Sequence, residues 1–229
     1  MFAVIFEIQP RQERKEDYLA LAKILKPEVE KIDGFIDNER FASQRTEGRM
    51  LSLSTWRDEK AVVRWRTLGV HHAIQARGRA EIFADYHLRV GEITADTQIP
   101  PGQQLQQQRL DETGVGAAKA VTICELAAVH ENPASADLPA DLPAPAPDTL
   151  GLVDVEVYES IYNPGKLLLL ASWQEATAAS RWTPRMPAGH ALRHRQVRVI
   201  RDYGMLDRRE APQFYPPVEG GGCPYDKKN

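Results

Sequence analysis

The chain has 229 residues, 42% of them hydrophobic and 27% charged, with a net charge of −3. That is enough apolar side chain for a core, without the basic excess of a nucleic-acid binder. Its two cysteines, Cys124 and Cys223, are too few for a disulfide framework or a zinc motif; no apolar run nears the ~18 residues that span a bilayer, and the charge at Glu7 comes too early for a signal peptide. The expectation is a cytoplasmic protein with reduced thiols and no nucleic-acid or membrane partner.

Ala3 to Ile8 is a run of β-formers closed by Gln9-Pro10, a strand. Residues 13–32 carry Tyr18, Leu21, Ala22, Leu25, Val29 and Ile32 at helical spacing, with an irregularity expected at Pro27. Asp33-Gly34 supplies the stop, since glycine suits the left-handed position after a helix. Phe35 to Phe41 and Arg49 to Trp56 read as two more strands, turned at Thr46-Glu47-Gly48. Asp58 is placed to cap a second helix bearing Ala61, Val62, Trp65 and Leu68. A further helical piece spans His71 to Arg79, and Tyr86 to Ile93 is the last strand. The order is β-α-β-β-α-β, a ferredoxin-like unit.

The unit then repeats. At an offset of 117 residues the halves align from Ala3/Ala120 to Trp65/Trp182, with 11 identities in the 32 positions from Gly34/Gly151 onward. Trp56/Trp173 and Trp65/Trp182 are among them. The second copy is eroded: its first helix is replaced by a stretch with Pro133, Pro139, Pro143, Pro145 and Pro147, so residues 131–148 are expected to form no regular helix. Domain bounds follow at 1–97 and 118–206, with a Pro- and Gln-rich linker at 98–117 and an irregular Gly/Pro tail at 207–229.

An antiparallel sheet with helices on one side leaves its other face to be covered. A second copy can cover it, so the fold class is α+β: two ferredoxin-like units packed sheet to sheet as a pseudo-dimeric α+β barrel. Whether such chains associate further into a homo-oligomer is left open.

Ile32-Asp33-Gly34-Phe35, the strand Leu51 to Trp56, the Trp56…Trp65…His71-His72 helix and Phe83 to Val90 together resemble the antibiotic biosynthesis monooxygenase family of the dimeric α+β barrel superfamily. The resemblance covers 1–97 well and 118–204 weakly. It implies oxygenation of a small electron-rich aromatic (phenolic or quinol) molecule by O2 without a cofactor. The protein then supplies a base, donors for the substrate anion and a dry apolar pocket. The haem-degrading branch of that superfamily is disfavoured. By resemblance it needs an Asn on the first strand and a His ten residues after the helix Trp; this chain has Glu7 and Gln75.

Candidate site residues sit mostly in the first copy. His71 and His72 offer a base or donor near neutrality, with His72 favoured, against a capping role at a helix end. Trp65 would wall a pocket or simply pack. Asn38 and Arg40 are polar residues inside a strand, as is Glu7, and become Val155 and Val157 in the second copy. Tyr86 and Arg79 would meet a phenolate or carboxylate, although an ion pair of Arg79 with Asp85 or Glu81 is the structural alternative. No spacing of ligands suggests a metal. A non-catalytic small-molecule-binding or structural barrel is the competing reading.

Overall fold

The structure, a computed structural model, describes residues 1–128, 144–185 and 190–212. The expectation for 131–148 therefore falls outside the described residues from 131 to 143, as do Cys223 and the second-copy counterparts of His71 and His72. Residues 144–148 take no helix.

Strand β1 is Phe2–Pro10, followed by a 3-10 turn at Gln12–Arg14 and helix α1 at Lys15–Val29. α1 runs through Pro27, in its last turn, where the exposed Lys23 carbonyl can turn to water. Strands β2 (Phe35–Ser43) and β3 (Met50–Trp56) precede helices α2 (Glu59–Thr67) and α3 (Gly69–Arg77). A π-helical turn at Gly78–Ile82 leads into β4 (Phe83–Asp96). The second half has β5 (Ala120–Ala128), β6 (Leu152–Ser160), β7 (Leu167–Trp173), a six-residue α4 (Ala176–Arg181) and β8 (His190–Gly204).

Local signals account for the joints. The Asp58 carboxylate accepts from the Ala61 amide at 2.8 Å and starts α2. Gly34 has φ +91° and Gly151 +82°; a Cβ at either would lie 2.7 Å from the Cβ of Ala61 or Ala178, so each glycine lets helix and strand approach.

The eight strands close into a barrel in the order β1-β3-β2-β6-β7-β5-β8-β4. Each half is a four-stranded sheet, and the halves join at both edges, β2 to β6 and β4 to β8. The β4–β8 seam is long, whereas at the β2–β6 seam only Phe41 to Ser43 pair with Tyr158 to Ser160. Ala3, Ile5, Phe41, Leu51 and Leu53 fill the interior against Val121, Ile123, Tyr158, Leu168, Leu170, Val197 and Val199. On the helix side of the first sheet, Phe2, Trp56, Ala61 and Val62 form one cluster, and Ile8, Tyr18, Met50, Phe83 and Tyr86 another; Leu88 packs against both. Among the described residues no helix is long and apolar enough to cross a membrane.

The register corrects the repeat in one place. Phe2 faces Trp56, and Ala120 faces Trp173. From Trp56 to Trp173 is 117 positions, but from Phe2 to Ala120 is 118. The first strands are thus one residue out of step with the sequence alignment, so Glu7 corresponds to Glu125 and not to Cys124. A slip of one moves every side chain to the other face of a sheet.

Candidate active site

Neighbouring residues of β2 point to opposite faces; Phe41 enters the barrel, so Asn38 and Arg40 face the helices. Asn38 Nδ2 donates to the Ser52 hydroxyl and the Leu53 carbonyl, each at 3.0 Å. Arg40 Nε donates to the hydroxyl of Tyr18, on α1, at 3.3 Å. The Arg40 carbonyl accepts from the Ile161 amide at 2.9 Å, which sets this residue at the seam between the halves.

A second group forms where α2 meets α3. Leu68 is extended (φ −61°, ψ 126°), and the break turns α3 back on α2. The His71 ring then lies on Trp65, with centroids 3.9 Å apart and planes 15° from parallel. His71 Nδ1 is 2.9 Å from the Trp65 carbonyl oxygen. An oxygen that can only accept fixes the proton on Nδ1 and leaves the lone pair on Nε2. Burial, with His72 nearby, lowers the His71 pKa to about 4 against the opposing pull of that carbonyl. At neutral pH the ring is uncharged, and it is a weaker base than an ordinary imidazole. His72 is half-buried on the same helix, its amide donating to the Leu68 carbonyl at 2.9 Å. The sequence leaned to His72; the aromatic stack and the fixed tautomer belong to His71.

Tyr86 is buried, edge-on to Phe6 at 5.5 Å, and its hydroxyl accepts from Arg208. It shares an apolar cluster with Tyr18, the partner of Arg40. Trp65 packs in the neighbouring cluster with Phe2, Trp56 and Val62. Arg79 is exposed on the π-helical turn, and the ion pair at this corner is Arg77 with Glu81 at 3.1 Å. The structure thus joins Asn38, Arg40, Tyr18 and Tyr86 in one layer, sets Trp65 and His71 beside it, and leaves Arg79 apart.

The barrel interior holds charges that the sequence showed only in part. Glu7 accepts from Arg89 at 2.6 Å and from the Tyr158 hydroxyl at 2.8 Å, and Arg89 also donates to Ser172 at 2.8 Å. The same arrangement recurs at the other end: Arg195 meets Glu125 and donates to Thr55 at 3.1 Å. His87 with Asp202, at 2.6 Å, is matched there by Arg193 with Asp96 at 2.8 Å. What both ends share is construction, because a buried guanidinium requires a paired carboxylate. The differences include His87 for Arg193, Tyr158 for Phe41, the Lys166–Glu125 pair at 2.6 Å, and a cavity of about 540 Å³ at the His87 end. Its lining includes Glu7, Asp85, Asp154, Asp202 and Asp207 against Arg49, Arg89 and His87, a wall poor for an anion. Burial works against charge on His87, but Asp202 and Glu7 outweigh it and raise its pKa. The sequence signal was a charge at a barrel-facing position of a β-run, as Glu7 in Phe2 to Ile8 and Arg89 in Tyr86 to Val90. Among the described residues no group of three or more His, Cys, Asp or Glu is arranged to hold a metal ion.

Residues 1–77 match the family model described as antibiotic biosynthesis monooxygenase. The chain is 41% identical over 223 residues to a protein named jasmonate monooxygenase ABM from Pyricularia oryzae, covering 95% of this chain and 100% of that one. A solved structure of an anthrone oxidase-like protein is 12% identical, covering 93% of this chain and 96% of its own, with a TM-score of 0.35. A conserved protein from Methanosarcina mazei is 19% identical over 39% of this chain and 88% of its own, with a TM-score of 0.37.

Proposed function

The chain belongs to the antibiotic biosynthesis monooxygenase family and has a monooxygenase-type function; from that premise we propose that it transfers one atom of O2 to a small jasmonate-type organic acid, without a cofactor. The observation that carries this reading is the 41% identity across the whole length of the jasmonate monooxygenase. The reaction lies in the sheet–helix layer of the first half, with Trp65 as a flat wall and His71 Nε2 as the acceptor of the substrate proton. A desolvated neutral imidazole accepts a proton without first losing one, and the surrounding apolar clusters exclude water from the resulting anion. His72, next along α3, is the second candidate for this role.

The product decides the electron count. Turning a methylene into a carbonyl needs no outside reductant, since CH2 and O2 give C=O and H2O. A hydroxyl product requires two further electrons. A phenolic or quinol substrate is the second reading, favoured by the planar surface of the Trp65–His71 stack, which suits an aromatic ring. The third is a pocket that binds without chemistry.

The test incubates the purified protein with jasmonate, and separately with a quinol, under isotopically labelled O2, each with and without ascorbate as a two-electron donor for a hydroxyl product. One labelled oxygen in the jasmonate product is expected, with His71→Ala slowed by ~10²-fold as for a lost general base. Label in the quinol product alone would move the assignment to the second reading. Label in neither would overturn the enzymatic reading.

A further inference from the structure

We infer that Arg40 is the seat of a carboxylate on the substrate, so that the first-half site selects a small organic acid over its ester; this rests on the function proposed above. Arg40 is partly buried beneath α1, and a guanidinium carries its charge at any pH a protein meets. The polar side chains at it are hydroxyls: Tyr18, donated to at 3.3 Å, and Tyr162. Among the described residues no carboxylate reaches it within 4.0 Å. The guanidiniums inside the barrel are treated differently. Arg89 meets Glu7 at 2.6 Å, and Arg193 meets Asp96 at 2.8 Å. A cation drawn out of water beside two neutral hydroxyls is short of a counter-charge.

The fork of a guanidinium matches a carboxylate, with two parallel N–H donors for two oxygens. Arg40 Nε is committed to Tyr18, and the other neighbour of the guanidinium is the hydroxyl of the exposed Tyr162, so an incoming carboxylate would take the terminal nitrogens beside or in place of that hydroxyl. The approach lies at the seam of the halves, where Tyr162 is 56% exposed while Tyr18 is 7% exposed. Tyr18 therefore anchors the guanidinium from inside, and Tyr162 flanks the entrance. The second half has no such seat: Val157 stands where Arg40 would, packed with Cys124, Leu126 and Leu169. The barrel-end cavity is no rival for an acid, because five carboxylates among its lining residues oppose two arginines and one histidine.

The experiment uses the full chain with jasmonate and methyl jasmonate as probes, measuring binding by calorimetry and kcat/KM for wild type, Arg40→Gln and Arg40→Lys. Wild type is expected to bind the acid ~10- to 10²-fold more tightly than the ester, the worth of a charge-assisted hydrogen bond. Arg40→Gln should lose that preference by weakening the acid alone, and Arg40→Lys should keep part of it. Equal binding of acid and ester by wild type would overturn the inference, as would an equal loss for both probes in Arg40→Gln, or no binding of either. If wild type binds the acid selectively through Arg40 but forms no product, the seat stands and the monooxygenase reading of the substrate fails. Should Arg40→Gln not fold, Arg40→Lys and Tyr162→Phe carry the comparison, since both keep the packing at the seam.

Discussion

Replacing Glu7 by Gln removes one charge from the interior of the barrel and leaves Arg89 in place. Glu7 is 8% exposed and accepts from Arg89 at 2.6 Å and Tyr158 at 2.8 Å, with His87 at 3.4 Å. Burial alone would raise its pKa, but Arg89, His87 and Tyr158 together hold it at about 2, against an ordinary value of 4.5. That difference corresponds to about 3 kcal/mol of stability at neutral pH. Breaking a buried pair by removing one partner costs about 3–5 kcal/mol, so two independent routes agree. The folded pKa is depressed, so the contribution is complete above pH 4.5 and is lost as the pH falls towards 2. Urea unfolding followed by fluorescence of the four tryptophans should place Glu7→Gln about 3 kcal/mol below wild type at pH 7. The gap should narrow as the pH falls below 4.5, because wild type is then losing the same charge. A loss under about 1 kcal/mol at pH 7, or a gap independent of pH, would refute the account of Glu7 as a paired interior carboxylate.

Gly34→Ala and Gly151→Ala should each destabilise by about 1–3 kcal/mol, because a Cβ there meets positive φ and the facing alanine together; thermal melts decide, and an unchanged Tm would contradict the close helix–strand approach. The two histidines of interest should titrate in opposite directions by NMR: His71 near 4, and His87 above 6.5. Because the His87 pKa is raised, its tie to Asp202 contributes fully below pH 6.5 and is lost as the pH rises through the folded value; a His87 signal titrating below His71 would refute both placements.

The sequence carried the elements because their causes are local. The stripe from Tyr18 to Val29, the Asp58 cap and the glycines at 34 and 151 act over a few residues, and the paired tryptophans exposed the repeat. Of those tryptophans Trp56 is fully buried, with its indole N–H on the Ser54 hydroxyl at 2.9 Å. The approach of His71 to Trp65 was not legible, because a separation of six residues brings nothing together on a regular helix. It depends on the extended Leu68: the adjacent Gly69 marks a break but not the direction in which α3 turns.

Long-range pairing stayed hidden for a different reason. An alignment at 117 follows the identities of β2, β3 and α2, and β1 has too few to report its own offset of 118. Strand register is set by which side chains reach the core, and a shift of one residue turns Glu7 from the partner of Cys124 into that of Glu125. Pairing of β1 with β4 and of β5 with β8 brings Glu7 to Arg89 and Glu125 to Arg195, and closure of the barrel, with β4 against β8, brings Asp202 to His87 and Asp96 to Arg193. The sequence by itself determined two copies of one unit and where the first keeps its polar residues. Which of those face the helices, which face the barrel, and which find a counter-charge was decided by tertiary structure, because facing and pairing arise from strands that meet across the whole chain.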